Sequence, residues 1–320
     1  MDTTKNIEAS LIANQNKKTI IFPEGNEQKI QEVANYLVEQ KIGKPILIFK
    51  SKNDVPATLN KEVQVICQDD YDLQPLVDKF LEIRKDKATL EVAQKAMLHP
   101  NYIGAMLVKM GQADAMLSGL TYTTADTLRP ALQIIKTKPG SSLAASVMIM
   151  KKGDQALFFA DCALNIKPTS EQLADITKMS VEFAKSLNVS DVQAALLSYS
   201  TNGSGLGEDV DRVVGAVNKL KADNVDFVFD GEIQFDAAYD KQTRDKKFPN
   251  CKITKPTADV FIFPEIQSGN IGYKIAQRMG GYEAVGPFIL GFNQPVNDLS
   301  RGATFEDIKE TAIMTLHQVK

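Results

Sequence analysis

Histidine and cysteine are scarce in this 320-residue chain, and the scarcity narrows the chemistry available to it. Two histidines, His99 and His317, poorly supply a histidine-based metal site or a serine–histidine couple, so acid–base work is expected to fall to carboxylates. The three cysteines, Cys67, Cys162 and Cys251, are too few and too far apart for a disulfide framework or a zinc site, and they read as reduced thiols. No apolar run approaches the roughly 18 residues that a membrane span requires. The opening MDTTKNIEASLIANQNKK also has no compact apolar core of the signal-peptide kind, so a cytoplasmic protein with no membrane partner is expected. A net charge of -3 offers no basic footprint for nucleic acid. Arginine is sparse as well: Arg84, Arg129, Arg212, Arg244, Arg278 and Arg301 are the six among 37 basic residues. A guanidinium fork suits bidentate binding of phosphate, so a rare arginine beside turn residues is a candidate anion contact.

What is present is a globular composition, 43% hydrophobic and 24% charged, on a chain too long for one small core. KTIIFPEG, NEQKIQEVANYLVEQK and KPILIFKS read as strand, helix and strand, and the alternation recurs along the chain. Lysine, proline, glycine and serine punctuate KTKPGSS (136–142), a domain boundary on this reading. Beyond it, ASVMIMKK and QALFFADCALN flank KKGD as a hairpin, followed by further helices and strands. The pattern predicts an α/β fold with mostly parallel strands in two halves. Ligands of such sheets collect beyond the carboxyl ends of strands, which singles out SGLTYTTAD, SYSTNGSGLGED, FPEIQSGN and QPVNDLSRG.

Each loop has a bland reading beside a chemical one. Ser118, Gly119, Thr123 and Thr124 lead from a strand into a helix, where unpaired N–H groups attract phosphate; a Thr123–Asp126 cap explains the same residues. Arg129, one turn further on, could add a fork to that anion or pair with a surface carboxylate. The glycines at 203, 205 and 207 in STNGSGLG fit neither a P-loop nor a G-x-G-x-x-G, and an ordinary flexible connection is as good an account. Asp226, Asp230, Asp236 and Asp240 could hold Mg²⁺ or form a solvated face. Cys162 reads as a packed thiol. In NDLSRGATFED, Thr304 and Asp307 form a capping box, which leaves Ser300 and Arg301 as loop residues.

Taken together, FPEGNEQKI, LSGLTYTTADTLRPALQII, FADCALNIKPTSEQLADI, LSYSTNGSG, DGEIQFDAA, ADVFIFPEIQSGNIGYKIAQRMGG and PVNDLSRGATFEDI resemble the phosphate acetyltransferase (phosphotransacetylase) family in its short, single-unit form. The likeness runs in order from about residue 17 to the end, and departs at Lys29, where the family usually has arginine. It implies a two-domain fold like that of isocitrate and isopropylmalate dehydrogenases, with mostly parallel sheets and a site in the interdomain cleft. The first domain would combine 1–142 with 292–320, and the second, 143–291, would form a homodimer.

The implied reaction is acetyl-CoA plus phosphate to acetyl phosphate plus CoA, by direct thiolate attack in a ternary complex. Coenzyme A is a substrate, and no cofactor or metal is implied. The catalytic serine, arginine and aspartate fall on Ser300, Arg301 and Asp307, and the anion-binding arginines on Arg84 and Arg129. Ser300 would donate to the developing oxyanion, Arg301 would favour the thiolate, and Asp307 would take the thiol proton. Reference pKa values of thiol and carboxyl differ by about 4.6 units, roughly 6 kcal/mol, a gap that two effects could narrow: partial burial would raise Asp307, and Arg301 would favour the thiolate. A phosphate butyryltransferase and a non-catalytic acyl-CoA-sensing module are the alternatives, the acyl pocket being illegible. An NAD-dependent, metal-requiring dehydrogenase of the same fold is poorly served by these motifs.

Overall fold

The computed structural model describes residues 3–319, which form two compact units. One comprises the described residues up to Pro139 together with those from Phe292 on, and the other runs from Gly140 to Gly291. In chain order the strands are β1 (Thr19–Phe22), β2 (Lys44–Phe49), β3 (Gln64–Cys67), β4 (Ala115–Ser118), β5 (Ala145–Lys152), β6 (Gln155–Ala160), β7 (Gln193–Leu197), β8 (Val228–Ile233), β9 (Val260–Ile262), β10 (Glu283–Leu290) and β11 (Val296–Asp298).

The first unit holds a five-stranded sheet in the order β11-β4-β1-β2-β3, parallel throughout. Its central strands are apolar on both faces: Ile20, Ile21 and Phe22 are fully buried, as befits a parallel sheet covered by helices on both sides. The helix Gln28–Glu39 buries Ile30, Val33, Ala34 and Leu37, the one-stripe spacing of an amphipathic helix. The helix Pro100–Lys109, which the alternation pattern did not reveal, buries Ile103 to Val108 almost without a break. A chain that is apolar all round shows no stripe.

The helix beginning at Thr124 changes character at Pro130, where the α-helical turns give way to a π segment, Ala131–Ile135. Proline brings no N–H for the carbonyl four residues back. That carbonyl, on Asp126, accepts instead from Asn101 Nδ2 at 3.2 Å. The compensation ties this helix to the helix Pro100–Lys109.

In the second unit the sheet order is β10-β5-β6-β9-β7-β8. The pairs β10/β5 and β5/β6 are antiparallel, the latter closing through the expected hairpin, and β6, β9, β7 and β8 run parallel. Phe159, Phe261 and Phe263 meet in its core with Cys162. Among the described residues no helix is long and apolar enough to cross a membrane.

Candidate active site

Strands β1, β4 and β11 lie side by side and parallel, so their carboxyl ends deliver Glu24, Ser118 and Asp298 to one edge of the first unit's sheet. Asp298 stands opposite Ser118 in the ladder, and Leu299 N continues the pairing to Ser118 O at 2.7 Å. Glu24 is buried, 5% exposed, and its carboxylate is filled by the loop that leaves β4. Gly119 N donates to Oε2 at 2.8 Å and Leu120 N at 3.2 Å. Thr121 N, Thr121 Oγ1 and Tyr122 N donate to Oε1. Backbone donors turned inward need a partner. Glu24 is that partner, an anion supplied by the chain itself.

The same kind of internal bonding engages Ser118, Gly119, Thr123 and Thr124. Gly119 N is spent on Glu24, and the buried Ser118 hydroxyl is shared between Glu24 and Asn101 Oδ1. Thr123 Oγ1 donates to Asp126 Oδ2 at 2.7 Å while accepting Asp126 N, so the cap is realised. Thr124 Oγ1 donates to Asp298 Oδ2 at 2.6 Å. Gly119 has another reason to be glycine: its φ is +115°, and a Cβ there would lie 2.3 Å from Asp298 Oδ1 and 2.7 Å from Leu299 N.

Asp298 is 4% exposed, and its Oδ1 is buried without a hydrogen-bond partner. Thr127 Oγ1 nearby is likewise buried and outside hydrogen-bond geometry. Burial pushes the Asp298 carboxyl up to about 6; the Thr124 and Thr127 hydroxyls pull it back and Glu24 pushes it further. Sequence reasoning gave neither Glu24 nor Asp298 a role, although Glu24 stands two residues beyond β1 and Asp298 closes β11, both inside quoted motifs, FPEG and NDLSRG.

From Asp298 the chain turns outward. Ser300 and Arg301 are exposed, and Ser300 Oγ accepts Gly302 N at 3.4 Å, which leaves its hydrogen for an outside oxygen. Lys29 Nζ donates to Ala303 O at 2.8 Å, so the lysine found in place of the usual arginine braces this turn. Arg301, Lys29, Glu27, Glu32, Leu120 and Thr121 line an open cavity of about 550 Å³. Of the two effects that could bring thiol and carboxyl together, burial does not act on Asp307 in the chain by itself. The residue is exposed, and Oδ2 accepts Thr304 N and Thr304 Oγ1, each at 2.8 Å, in the capping box of the helix Phe305–His317. A residue in the first turn of a surface helix has solvent on one side, and the cap holds it there.

Arg84 ends the helix Gln74–Arg84, and Arg129 lies in the helix after Thr123. Both charges act on one hydroxyl: burial raises Tyr102, while Arg129 and Arg84 lower it. That hydroxyl donates to Gln133 Oε1 at 3.1 Å.

The second unit repeats the device seen at Glu24. Ser200 Oγ and Gly203 N donate to Glu232 Oε1 at 2.9 and 2.7 Å, so an internal carboxylate occupies the glycine-rich STNGSG loop. Asp161 likewise accepts N–H groups from Ala163, Leu164 and Asn165. Cys162 is fully buried, and burial first, then Asp161, raises its thiol well above the usual range, which makes it a packed, unreactive group. Asp226 and Asp236 pair with Lys185 and Lys247, and Asp240 caps a helix. Among the described residues no three His, Cys, Asp or Glu side chains gather as metal ligands. Arg244 is buried with its fork on the carbonyls of Ala237, Ala238 and Lys255, a structural arginine.

The architecture belongs to a wider class of α/β proteins. It superposes with a TM-score of 0.54 on a 4-hydroxythreonine-4-phosphate dehydrogenase from Klebsiella pneumoniae, at 10% identity over 96% of this chain and 99% of that one, a likeness of fold alone. Within that class, residues 5–316 match the family described as phosphate acetyl/butaryl transferase, and the chain belongs to that family. A phosphate acetyltransferase of Mycoplasma capricolum subsp. capricolum is 61% identical over 99% of both chains. A crystal structure of a phosphotransacetylase from Streptococcus pyogenes superposes with a TM-score of 0.93 at 42% identity, covering 98% of each chain.

Proposed function

We propose that this chain is a phosphate acetyltransferase, interconverting acetyl-CoA plus phosphate with acetyl phosphate plus CoA in a ternary complex. The observation that carries the reading is the Ser300–Arg301 pair, placed by β11 at the carboxyl edge of a parallel sheet and exposed there beside an open cavity. Both substrates are anions and the intermediate is an oxyanion. A serine hydrogen without an internal acceptor can meet the oxyanion, and a guanidinium can hold a phosphate or thiolate. Asp307 belongs to the same segment and fixes it through the cap, while Arg84 and Arg129 offer a second paired cationic site for coenzyme A.

Acetyl is the preferred acyl group in this proposal, in keeping with the 61% identity to a phosphate acetyltransferase. Thioester formation from CoA and acetyl, propionyl or butyryl phosphate tests this: kcat/KM should be highest for acetyl phosphate. A butyryl preference would move the chain to the other branch of the family.

The proposed assembly is a homodimer through the second unit. The helix Ile266–Arg278 leaves Ile271 56% and Ile275 53% exposed, with Met279 after it at 85%, an apolar row that a second copy could cover. Sedimentation should show a dimer that Ile271→Asp with Ile275→Asp converts to monomer; an unmodified chain sedimenting as monomer would refute it. The proposed location is the cytoplasm, since three unpaired thiols suit a reducing compartment.

A further inference from the structure

The turn that carries Ser300 and Arg301 has few bonds of its own. Ala303 N donates to Ser300 O at 2.9 Å and Gly302 N to Ser300 Oγ at 3.4 Å, both inside the turn. Leu299 N fixes the start of the segment to β4, and Thr304 opens the last helix. Between those points, among the described residues, one hydrogen bond joins residues 300–303 to another element: Lys29 Nζ donates to Ala303 O at 2.8 Å, across 274 positions of sequence.

Lys29 stands where electrostatics alone would not put a cation. It is the second residue of the helix Gln28–Glu39, whose first turn has no acidic side chain and whose N-cap, Glu27, makes no side-chain hydrogen bond. The positive end of the helix dipole disfavours an ammonium there. The Ala303 carbonyl gives that ammonium a partner, and a charged donor makes the bond stronger than a neutral one would. The base of the brace is firmly seated. Gly25 N donates to Ile48 O at 3.1 Å and Gln31 Nε2 to Gly25 O at 2.8 Å, and the helix buries Ile30, Val33, Ala34 and Leu37. Two turns on, the Tyr36 ring meets Phe305 edge-on with 6.2 Å between centroids, and Lys309 Nζ lies over both rings. One helix thus grips the chain on both sides of Thr304.

We propose that Lys29 is a positioning residue of the acyl transfer: through Ala303 O it holds the turn in the geometry from which Ser300 meets the oxyanion, and it touches neither substrate. The inference rests on the phosphate acetyltransferase reading. An oxyanion donor works only within hydrogen-bond reach of the oxygen that becomes negative, and a displacement of about 1 Å costs up to about 10²-fold in rate. Ser300 is exposed and its turn has no other tether of this kind, so the brace sets that distance before substrate arrives. Its loss therefore falls on kcat. The proposed coenzyme A contacts, Arg84 and Arg129, lie on other helices, so KM for CoA is left in place.

The test compares the full chain as wild type, Lys29→Met and Lys29→Arg. It reads kcat and KM for CoA in thioester formation from acetyl phosphate, and hydrogen exchange by mass spectrometry in peptides covering residues 299–304 and the helix Phe305–His317. Lys29→Met keeps the length of the side chain without its donor; kcat should fall by about 10-fold or more with KM for CoA within about 2-fold of wild type. Exchange in 299–304 should quicken while the helix keeps its wild-type rates. Lys29→Arg, which restores charge and donors, should recover most of kcat and of the protection. A Lys29→Met enzyme with wild-type kcat overturns the proposal, as does one whose defect is confined to KM for CoA, which would make Lys29 a substrate contact. Exchange that quickens equally in both peptides also overturns it, because the loss would then be one of general stability. A wild type forming no thioester defeats the parent reading and this one with it; an active wild type with an unchanged Lys29→Met defeats this one alone.

Discussion

At the scale of single residues, Asp298 carries an energetic cost that can be measured without any substrate. An unfolded aspartate ionises near 3.9, whereas the folded chain holds this proton until about 6. Between those values the folded state binds more protons than the unfolded one, so stability from this group falls as pH rises through the window and is lost above it. The full offset is about 3 kcal/mol, of which about 1 to 2 kcal/mol lies between pH 5 and pH 8. Asp298→Asn removes the charge and gives the buried Thr127 hydroxyl a possible donor. Urea denaturation should therefore show the variant gaining on wild type as pH rises from 5 to 8; a difference constant with pH would mean that Asp298 titrates at its ordinary value.

At the scale of elements, the capping box of the helix Phe305–His317 makes a contrasting prediction for Asp307. Asp307→Ala loses the acceptor for Thr304 N and Thr304 Oγ1 and should cost about 1 kcal/mol of stability, seen as a lowered melting temperature. A variant as stable as wild type would show that the cap contributes nothing.

The same helix shows what was legible in the sequence. Thr304 and Asp307 announce their cap through local spacing, and the capping box is there. β1 and β2 were legible too, because each carries an unbroken apolar run after its first residue. β10 was not, since Gly286 and Pro287 break its pattern just where its pairing with β5 shifts register. β11 escaped notice because it is three residues long and follows a proline, yet it sets the position of Ser300 and Arg301. The donors of SGLTYTT looked free because their partner, Glu24, is more than 90 residues away in the chain. Local spacing reports caps and stripes, and it is silent about a carboxylate brought in by a neighbouring strand.

At the scale of the whole molecule, the chain divides into two α/β units, and the first is completed by a C-terminal return that adds β11 and the helix Phe305–His317. That return matters chemically: it brings Asp298, Ser300 and Arg301 alongside β4, where the 118–124 loop already waits with its donors filled. In the proposed site the positive charge for phosphate comes from guanidiniums, with the N–H groups of this loop given to Glu24. The proposed chemistry then rests on Ser300 and Arg301, both exposed where the chain leaves β11. The most direct measurement is the rate of thioester formation from acetyl phosphate and CoA, with a chelator present, for wild type and Ser300→Ala at matched melting temperature. The account predicts turnover by wild type and a loss of about 10²-fold or more in the variant, the range for removal of an oxyanion donor. A Ser300→Ala enzyme as fast as wild type, or a wild type silenced by the chelator, would contradict it.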